Sequence, residues 1–246
     1  MKDRITKHWD ERAKAYDQNV REVIYSRRER LAWQEILTET LGRGCLRVLD
    51  VGTGPGIVAN LLADLSHEVM GIDASGKMLK NAQENSAALH HSLEFVQGDG
   101  ENLPFEDGSF DAVVNRYVLW TLPEPKAAIA EWKRVLRQGG RLVIVDGTWF
   151  DVRDKTLSKR LWRNLSLILI ALTEWRLPCY QELDRDIKER LWSCNMNRPK
   201  ADVDMLKSLG FKDVRTVNDL DRRLSTTLNY LKNGYSGKQF LVSGVK

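Results

Sequence analysis

The sequence contains little cysteine and no grouping of residues that is typical of a metal site. Its three cysteines, Cys45, Cys179 and Cys194, are odd in number and lie far apart in the chain. This spacing argues against a disulfide framework and against a CxxC metal site, and reduced thiols are typical of the cytoplasm. The four histidines show no ligand spacing. We therefore expect neither a metal centre nor a disulfide.

Long apolar runs are also absent. The run LSLILIALT at residues 165–173 has nine largely apolar residues, whereas a helix that crosses a bilayer needs about 20. The first residues, MKDRITKHWDERAKAYD, are charged throughout and lack the apolar core of a signal peptide. No internal repeat and no low-complexity tract occur. These features predict a cytoplasmic protein without a transmembrane segment.

The length and the composition suit one α/β domain, because 246 residues with 42% hydrophobic content can bury one large core. The net charge of +4 is unevenly distributed. Residues 48–150 carry 8 Lys/Arg against 14 Asp/Glu, a net of −6, whereas residues 1–47, 151–200 and 201–246 are each basic. An acidic centre would attract a cationic ligand, and basic flanks would attract an anionic one. Ordinary solvated helix faces remain the alternative explanation.

The chain is organised around the stretch VLDVGTGPG at residues 48–56. Its first four residues are largely apolar and predict a central parallel strand that is buried on both faces. Gly52, Gly54 and Gly56 then follow at alternate positions. Glycine permits positive φ and has no Cβ, so this turn can bring the backbone directly against a ligand before a helix begins.

The spacing of these glycines excludes two common nucleotide sites. A dinucleotide fingerprint needs G-x-G-x-x-G, but the third position falls on Ile57, and no Walker A Gly-Lys-Ser/Thr follows. What remains is Asp50-x-Gly52-x-Gly54-x-Gly56, and this pattern resembles the class I S-adenosylmethionine-dependent methyltransferases. The resemblance implies that Asp50 lies near the ammonium of the cofactor's methionyl part, whose carboxylate approaches backbone amides at Gly52 and Gly54.

Two further acids follow predicted strands, as the resemblance requires. Asp73 ends the strand HEVMGID about 20 residues after the glycine turn, where it would accept hydrogen bonds from a ribose diol. Capping of the next helix is the alternative role for Asp73. Met78 would pack on the adenine, unless it belongs to the core. In the family pattern, Asp99 accepts from the adenine amine and Gly100 offers its backbone amide.

Residues 3–40 are predicted to be helical, with apolar and aromatic residues recurring among charges. The segment HWDERAKAYDQ resembles the amino-terminal cover of the family, in which a tyrosine closes over the cofactor. We assign that role to Tyr16. Trp9 and Tyr16 are seven residues apart, on one helix face, so simple packing on the core is the alternative.

The fourth and fifth predicted strands supply the remaining candidates. Asn115 ends the fourth strand and is assigned to the cofactor. Many relatives carry a histidine where this chain has Trp120 or Thr121, so one candidate base is absent. Asp146, at the end of the fifth strand, is then the candidate general base. Substrate contacts are assigned to three aromatic residues, which are Trp120, Trp149 and Tyr180.

Five strands that alternate with helices predict a parallel doubly wound sheet. The resemblance extends this to a Rossmann-like methyltransferase fold with seven strands, mostly parallel, closed by an antiparallel hairpin at residues 211–217 and 238–244. The chain is predicted to form a single domain with four parts. These are a helical cover (1–44), a cofactor-binding core (45–150), a helical lid or substrate insertion (151–200) and a carboxyl-terminal helix and hairpin (201–246).

The function that follows is S-adenosylmethionine-dependent methyl transfer, by in-line displacement, to a small-molecule acceptor with an apolar or aromatic body. Residues 151–200 would be a buried helix, a lid over that acceptor or an interfacial helix. The alternatives are a nucleic-acid or lipid/quinone methyltransferase and a non-catalytic cofactor-binding scaffold. No Asn-Pro-Pro-Tyr motif and no RNA-binding module occur, so a nucleic-acid partner is not expected.

Overall fold

The structure is a computed structural model. It describes residues 1–148, 157–174, 185–194, 196–218, 220–225, 228, 230–231 and 238–246. All statements below concern these residues.

One seven-stranded sheet forms the centre of the molecule, in the order β3-β2-β1-β4-β5-β7-β6. Its strands are β1 Arg47–Val51, β2 Glu68–Asp73, β3 Glu94–Gln97, β4 Phe110–Arg116, β5 Leu136–Gly147, β6 Lys212–Asn218 and β7 Gln239–Val245. Strands β1 to β5 pair in parallel, and β7 is antiparallel to both β5 and β6. The predicted fold is confirmed, with each strand of the hairpin one residue later than expected.

Helices cover both faces of this sheet. They are α1 Lys2–Tyr25, α2 Arg27–Leu41, α3 Ile57–Asp64, α4 Gly76–Ala88, α5 Pro125–Val135, α6 Leu157–Glu174, α7 Arg185–Arg190, α8 Lys200–Ser208 and α9 Asp221–Leu224. Two short 3₁₀ helices lie at Leu119–Thr121 and Trp192–Cys194.

The predicted amino-terminal helical segment is two helices rather than one. Ser26 has extended backbone, and its hydroxyl accepts a hydrogen bond from the backbone N–H of Glu29 at 3.4 Å. This is the geometry of a helix N-cap, so Ser26 starts α2 as it interrupts α1. The prediction of helix over residues 3–40 did not include this break.

Successive residues of the central strands pack into two hydrophobic layers, one on each face of the sheet. Val114 of β4 packs on the side of α2 and α3, where Trp33 is buried, and Val113 packs on the side of α5, where Trp132 is buried. Both tryptophans are almost completely excluded from solvent. Because the sheet is buried on both faces, the carboxyl edge of its parallel strands is where a ligand can approach.

Helix α6 contains the apolar run and exposes one face of it. Leu161, Leu165, Ile168 and Leu172 are 57%, 60%, 56% and 70% exposed, whereas Ile170 of the same helix is buried. The first four share one side of the helix, because they are spaced by four, three and four residues. No helix in the described part of the chain is long and apolar enough to cross a membrane.

Candidate cofactor-binding site

A cavity of about 300 Å³ lies at the carboxyl edge of the parallel strands. The segments that follow β1, β2, β3 and β4 form its floor, and α1 forms the opposite wall. Eight of the residues assigned from the sequence line this cavity; they are Tyr16, Asp50, Gly52, Gly54, Asp73, Met78, Asp99 and Gly100. The acids and glycines that lie up to 50 positions apart in the chain thus meet in one place.

The glycine turn has positive φ at both of its first two glycines, +65° at Gly52 and +55° at Gly54. Their surroundings differ. A Cβ on Gly52 would lie 2.3 Å from Cγ2 of Val118, whereas a Cβ on Gly54 would meet no atom closer than 4.0 Å. Gly52 is therefore required by protein packing, and Gly54 leaves space beside the cavity for a bound group.

Asp50 is buried and organises the turn. One of its carboxylate oxygens accepts from the hydroxyl of Thr53 at 2.7 Å and from the backbone N–H of Ala59 at 3.1 Å. Burial raises the pKa of Asp50 to about 7, and these hydrogen bonds offset part of the effect. The carboxyl group thus joins the end of β1 to the first turn of α3. It lies at the cavity wall and is partly protonated near pH 7.

Asp73 connects the end of β2 to the glycine turn. Its two oxygens accept from the backbone N–H groups of Gly54 and Ser75, each at 2.8 Å. Burial raises the pKa of Asp73. The N-cap of α4 is Ser75, whose hydroxyl accepts from the N–H of Met78 at 3.1 Å. The backbone N–H of Ala74 is a third donor to this carboxylate, so one of its four lone pairs remains for a ligand hydroxyl.

Asp99 and Gly100 follow β3 at the far end of the cavity. One oxygen of Asp99 accepts from the backbone N–H of Glu101 at 2.9 Å, and the other pairs with the ammonium of Lys2 at 2.7 Å. Lys2 also pairs with Glu101. The carbonyl of Gly100 accepts from the indole N–H of Trp132 at 2.8 Å, which anchors this loop on α5.

Helix α1 is held against the cavity by polar contacts along its length. Asp10 accepts from the hydroxyl of Ser75 at 2.5 Å, and Asp17 accepts from the side-chain amide of Asn85 at 2.7 Å. Between these contacts, the ring of Tyr16 packs edge-on against Trp9, with centroids 5.6 Å apart. Both rings line the cavity, so α1 supplies an aromatic wall opposite the sheet.

Among the lining residues that were not assigned from the sequence are Arg116 and Tyr117. The guanidinium of Arg116 lies 4.0 Å from the centroid of the Tyr117 ring and 5.3 Å from that of Trp33. Tyr117 has a φ of +61°, an uncommon conformation for a residue with a side chain. Nothing in the local pattern of residues distinguishes these two from an ordinary strand end.

The structure places Asp146 outside the cavity lining, in a buried ion pair. Its carboxylate lies 2.8 Å from the guanidinium of Arg198 and accepts from the backbone N–H groups of Gly147 and Trp120 at 2.9 and 3.1 Å. Arg198 pairs with Asp202 as well. A carboxylate that is completely buried and engaged in this way has no access to a substrate proton, so we do not retain Asp146 as the general base.

The other residues assigned from the sequence, which are Asn115, Trp120, Trp149 and Tyr180, are not part of the described cavity lining. Asn115 is completely buried, is not part of the cavity lining, and has no hydrogen-bond partner for either side-chain polar atom. Trp120 lies behind the lining, edge-on to Trp9 with centroids 6.5 Å apart. Trp149 and Tyr180 lie outside the described residues. The described residues contain no group of three or more potential metal ligands.

Comparisons with known proteins agree with this geometry. Residues 49–144 match the family described as Methyltransferase domain. The demethylmenaquinone methyltransferase of Renibacterium salmoninarum is 34% identical over 145 residues, which are 58% of this chain and 59% of that protein. An uncharacterized methyltransferase of Bacillus subtilis, YcgJ, is 39% identical over 103 residues, 41% of this chain and 40% of that protein. The chain thus spans less than two thirds of the length of these curated relatives.

The fold is shared with solved structures over nearly the whole chain. The crystal structure of a SAM dependent methyltransferase from Aquifex aeolicus matches with a TM-score of 0.61 and 20% identity, covering 96% of this chain and 97% of that one. The sequence match and the shared sheet coincide on the strands that build the cavity. Residues 49–144 therefore match the methyltransferase domain family, and the chain shares its fold with solved SAM dependent methyltransferases.

Proposed function

We propose that this protein transfers a methyl group from S-adenosylmethionine to a small organic acceptor. The observation that carries the proposal is the cavity itself. It joins a glycine turn with space beside Gly54 to the carboxylates that end β2 and β3. S-adenosylmethionine has a ribose, a purine and an amino acid. Its hydroxyl and amino groups need hydrogen-bond acceptors, and its amino-acid part needs a glycine backbone that it can approach closely.

The residues present fit this cofactor. Asp73 would receive the ribose, because its three backbone hydrogen bonds leave a lone pair for a hydroxyl. Asp99 and Gly100 would hold the adenine edge, and the buried side chain of Met78 would pack on its face. Asp50 would face the ammonium group. The cofactor supplies a methyl group already activated by the positive charge of its sulfonium.

The protein's part in the reaction is mainly positional. An acceptor atom must be held about 3 to 3.5 Å from the methyl carbon and in line with the bond that breaks. Trp9 and Tyr16 give one side of the cavity an aromatic wall. Burial raises the pKa of Tyr117 above its ordinary value, so its hydroxyl stays protonated and does not act as a base.

We therefore propose an acceptor that becomes nucleophilic without a dedicated carboxylate base, such as an acidic hydroxyl, an electron-rich ring carbon or a thiolate. The apolar cluster of Ile5, Ile187 and Leu191, with Trp9 and Trp120 packed on it, stands beside the cavity and favours an aromatic body. Relatives that are named demethylmenaquinone methyltransferases suggest a reduced quinone as the first acceptor to test.

The test has two stages. Calorimetry should show that S-adenosylhomocysteine binds and that NAD does not compete; preference for NAD would overturn the cofactor assignment. Transfer of a labelled methyl group would then be measured with reduced demethylmenaquinone of short chain length, with catechol and with bulk transfer RNA. Incorporation into the quinol or the catechol supports the proposal. Incorporation into RNA alone would overturn the small-molecule acceptor, and binding without any transfer would favour the cofactor-binding scaffold.

A further inference from the structure

The cavity contains a cation that forms no ion pair with a carboxylate of the described residues. Two basic side chains, Lys2 and Arg116, are found among the described residues that line it. Lys2 is neutralised by Asp99 and Glu101. Arg116 makes no ion pair with any carboxylate of the described residues, and its Nε is buried without a hydrogen-bond partner.

The contacts of Arg116 hold its charge in place rather than neutralise it. The guanidinium is stacked on Tyr117 and lies over Trp33, and the side chain of Tyr16 faces it from α1. Both tyrosine hydroxyls also accept hydrogen bonds from the guanidinium, but a neutral phenol does not balance its charge, and Nε still has no partner. A guanidinium remains charged at all physiological pH values. Asp50 attracts this charge but forms no ion pair with it, and its pKa of about 7 leaves it only partly ionised at neutral pH. A ligand anion would supply the missing negative charge.

The position of Arg116 indicates which part of the cavity would receive that charge. It ends β4, next to β1, and its side chain lies on the same face of the sheet as Asp50, since Asp50 and Val114 are paired in the register. An acid and a base are thus presented from neighbouring strands at the same edge. Such a pair is complementary to a zwitterion, or to a cationic group that approaches with an anionic one.

We propose that Arg116 is the anion-binding residue of this cavity, and that its guanidinium receives an oxyanion of a bound ligand. The inference rests on the proposed function. Two sources can supply the oxyanion: the carboxylate of the cofactor's amino-acid part, or an ionised oxygen of the methyl acceptor. A planar guanidinium binds either of them through two parallel hydrogen bonds, which an ammonium or an amide cannot reproduce.

The experiment compares paired ligands that differ in one anionic group. The first pair is S-adenosylmethionine and its decarboxylated form. The second pair, added to protein saturated with S-adenosylhomocysteine, is 2-naphthoate and 2-naphthalenemethanol. Dissociation constants are measured by calorimetry for the unaltered protein, Arg116→Gln, Arg116→Lys and Arg137→Gln. Arg137 is the matched control, because it is exposed, pairs with Asp111 and is not part of the cavity lining.

Arg116→Gln should weaken the anionic member of one pair by about ten- to a hundredfold and leave its neutral partner unchanged. Arg116→Lys should recover part of the loss, and Arg137→Gln should show none. A loss confined to the first pair assigns the oxyanion to the cofactor, and a loss confined to the second assigns it to the acceptor. Equal effects on both members of each pair, or no effect, would overturn the inference.

The design also separates this inference from the proposed function. If the unaltered protein binds neither S-adenosylmethionine nor S-adenosylhomocysteine, the proposed function fails. If it binds them, and Arg116→Gln weakens neither anionic ligand more than its neutral partner, only the role of Arg116 fails. Loss of the packing on Trp33 could weaken all ligands together, but it cannot produce selectivity for the charged member of a pair.

Discussion

At the scale of single residues, the two glycines that begin the turn have different reasons to be glycine. Val118 occupies the space where a Cβ of Gly52 would stand, whereas nothing in the described structure occupies that space at Gly54. Both have positive φ, so any other residue would be strained at either site. The difference gives an experimental means to separate a requirement of the fold from a requirement of the ligand.

Gly54→Ala should abolish or strongly weaken the binding of S-adenosylhomocysteine while the melting temperature of the free protein falls by only a few degrees. The expected reason is that the methyl group projects into space meant for the ligand. Gly52→Ala should lower the melting temperature clearly more, because its Cβ would lie 2.3 Å from Val118. Calorimetry and thermal melting on both variants check this, and an equal loss of stability would show that Gly54 also serves the fold.

The pKa of Asp50 predicts a pH dependence of stability. Burial raises it to about 7, against about 3.9 in an unfolded chain. Between these values the folded chain binds more protons than the unfolded chain, so the free energy of unfolding should fall as pH rises, by at most about 1.4 kcal/mol per pH unit. Asp50→Asn keeps an oxygen for Thr53 and Ala59 but cannot titrate, so its decline should be shallower.

Urea unfolding of the free protein and of Asp50→Asn at about pH 5, 6, 7 and 8 measures this difference. The comparison isolates Asp50, since all other titrating groups are common to both chains. Parallel curves for the two proteins would show that the carboxylate of Asp50 titrates near its ordinary value in the folded state.

Sequence could locate Asp50, Asp73 and Asp99 near the site because each follows a predicted strand of one parallel sheet, and such strands end at one edge. The same rule predicted that Asp146 lies at the site, but Asp146 is not part of the cavity lining. That acid also ends a parallel strand, but its partner Arg198 comes from a segment 52 positions later, and the pairing removes it from the cavity. Contacts between distant segments are set by packing and leave no local signature.

At the scale of elements, α1 contacts the sheet mainly through other helices. It reaches the core of the domain mainly through α4, by hydrogen bonds from Ser75 to Asp10, from Asn81 to the carbonyl of Ala13 and from Asn85 to Asp17. Periodicity predicted its helical character, but the break at Ser26 was not predicted because serine is also compatible with a helix interior.

Asp17→Ala should loosen α1 selectively. Asp17 is buried and accepts from both Asn85 and Arg21 at 2.7 Å, so its removal should cost about 1 to 3 kcal/mol. Limited proteolysis should then cleave within residues 2–25 faster than in the unaltered protein, and S-adenosylhomocysteine should restore protection. Glu11→Ala, on an exposed part of the same helix, is the control. Unchanged cleavage in Asp17→Ala would show that α1 is held by its apolar face alone.

At the scale of the whole molecule, Arg198 connects the carboxyl-terminal third of the chain to the central sheet. It pairs with Asp146 of β5 and with Asp202 of α8, and its guanidinium also lies over the rings of Trp192 and Phe240. One cation thus joins β5, α8, β7 and the 3₁₀ helix at Trp192–Cys194. The antiparallel hairpin was predictable from the resemblance, but this buried connection was not.

Arg198→Met should destabilise the protein by about 3 to 5 kcal/mol near neutral pH, because two buried carboxylates lose their counter-ion. The loss should shrink at lower pH, since burial raises the pKa of Asp146 and protonation removes the unpaired charge. Urea unfolding at two pH values tests this. The triple variant Arg198→Met, Asp146→Asn, Asp202→Asn should recover much of the stability; if it does not, packing on Trp192 and Phe240 matters more than charge.

The position of α1 has a kinetic consequence for an enzyme that works in this cavity. Because α1 forms the wall opposite the sheet and Lys2 is paired with Asp99, displacement of this helix would widen the exit for a spent cofactor. Product release or the opening of a cover limits turnover in many enzymes, and we expect displacement of α1 to limit it here. Rapid-quench measurements should then show a burst of one methylated product per protein molecule, followed by a slow steady rate that Asp17→Ala accelerates.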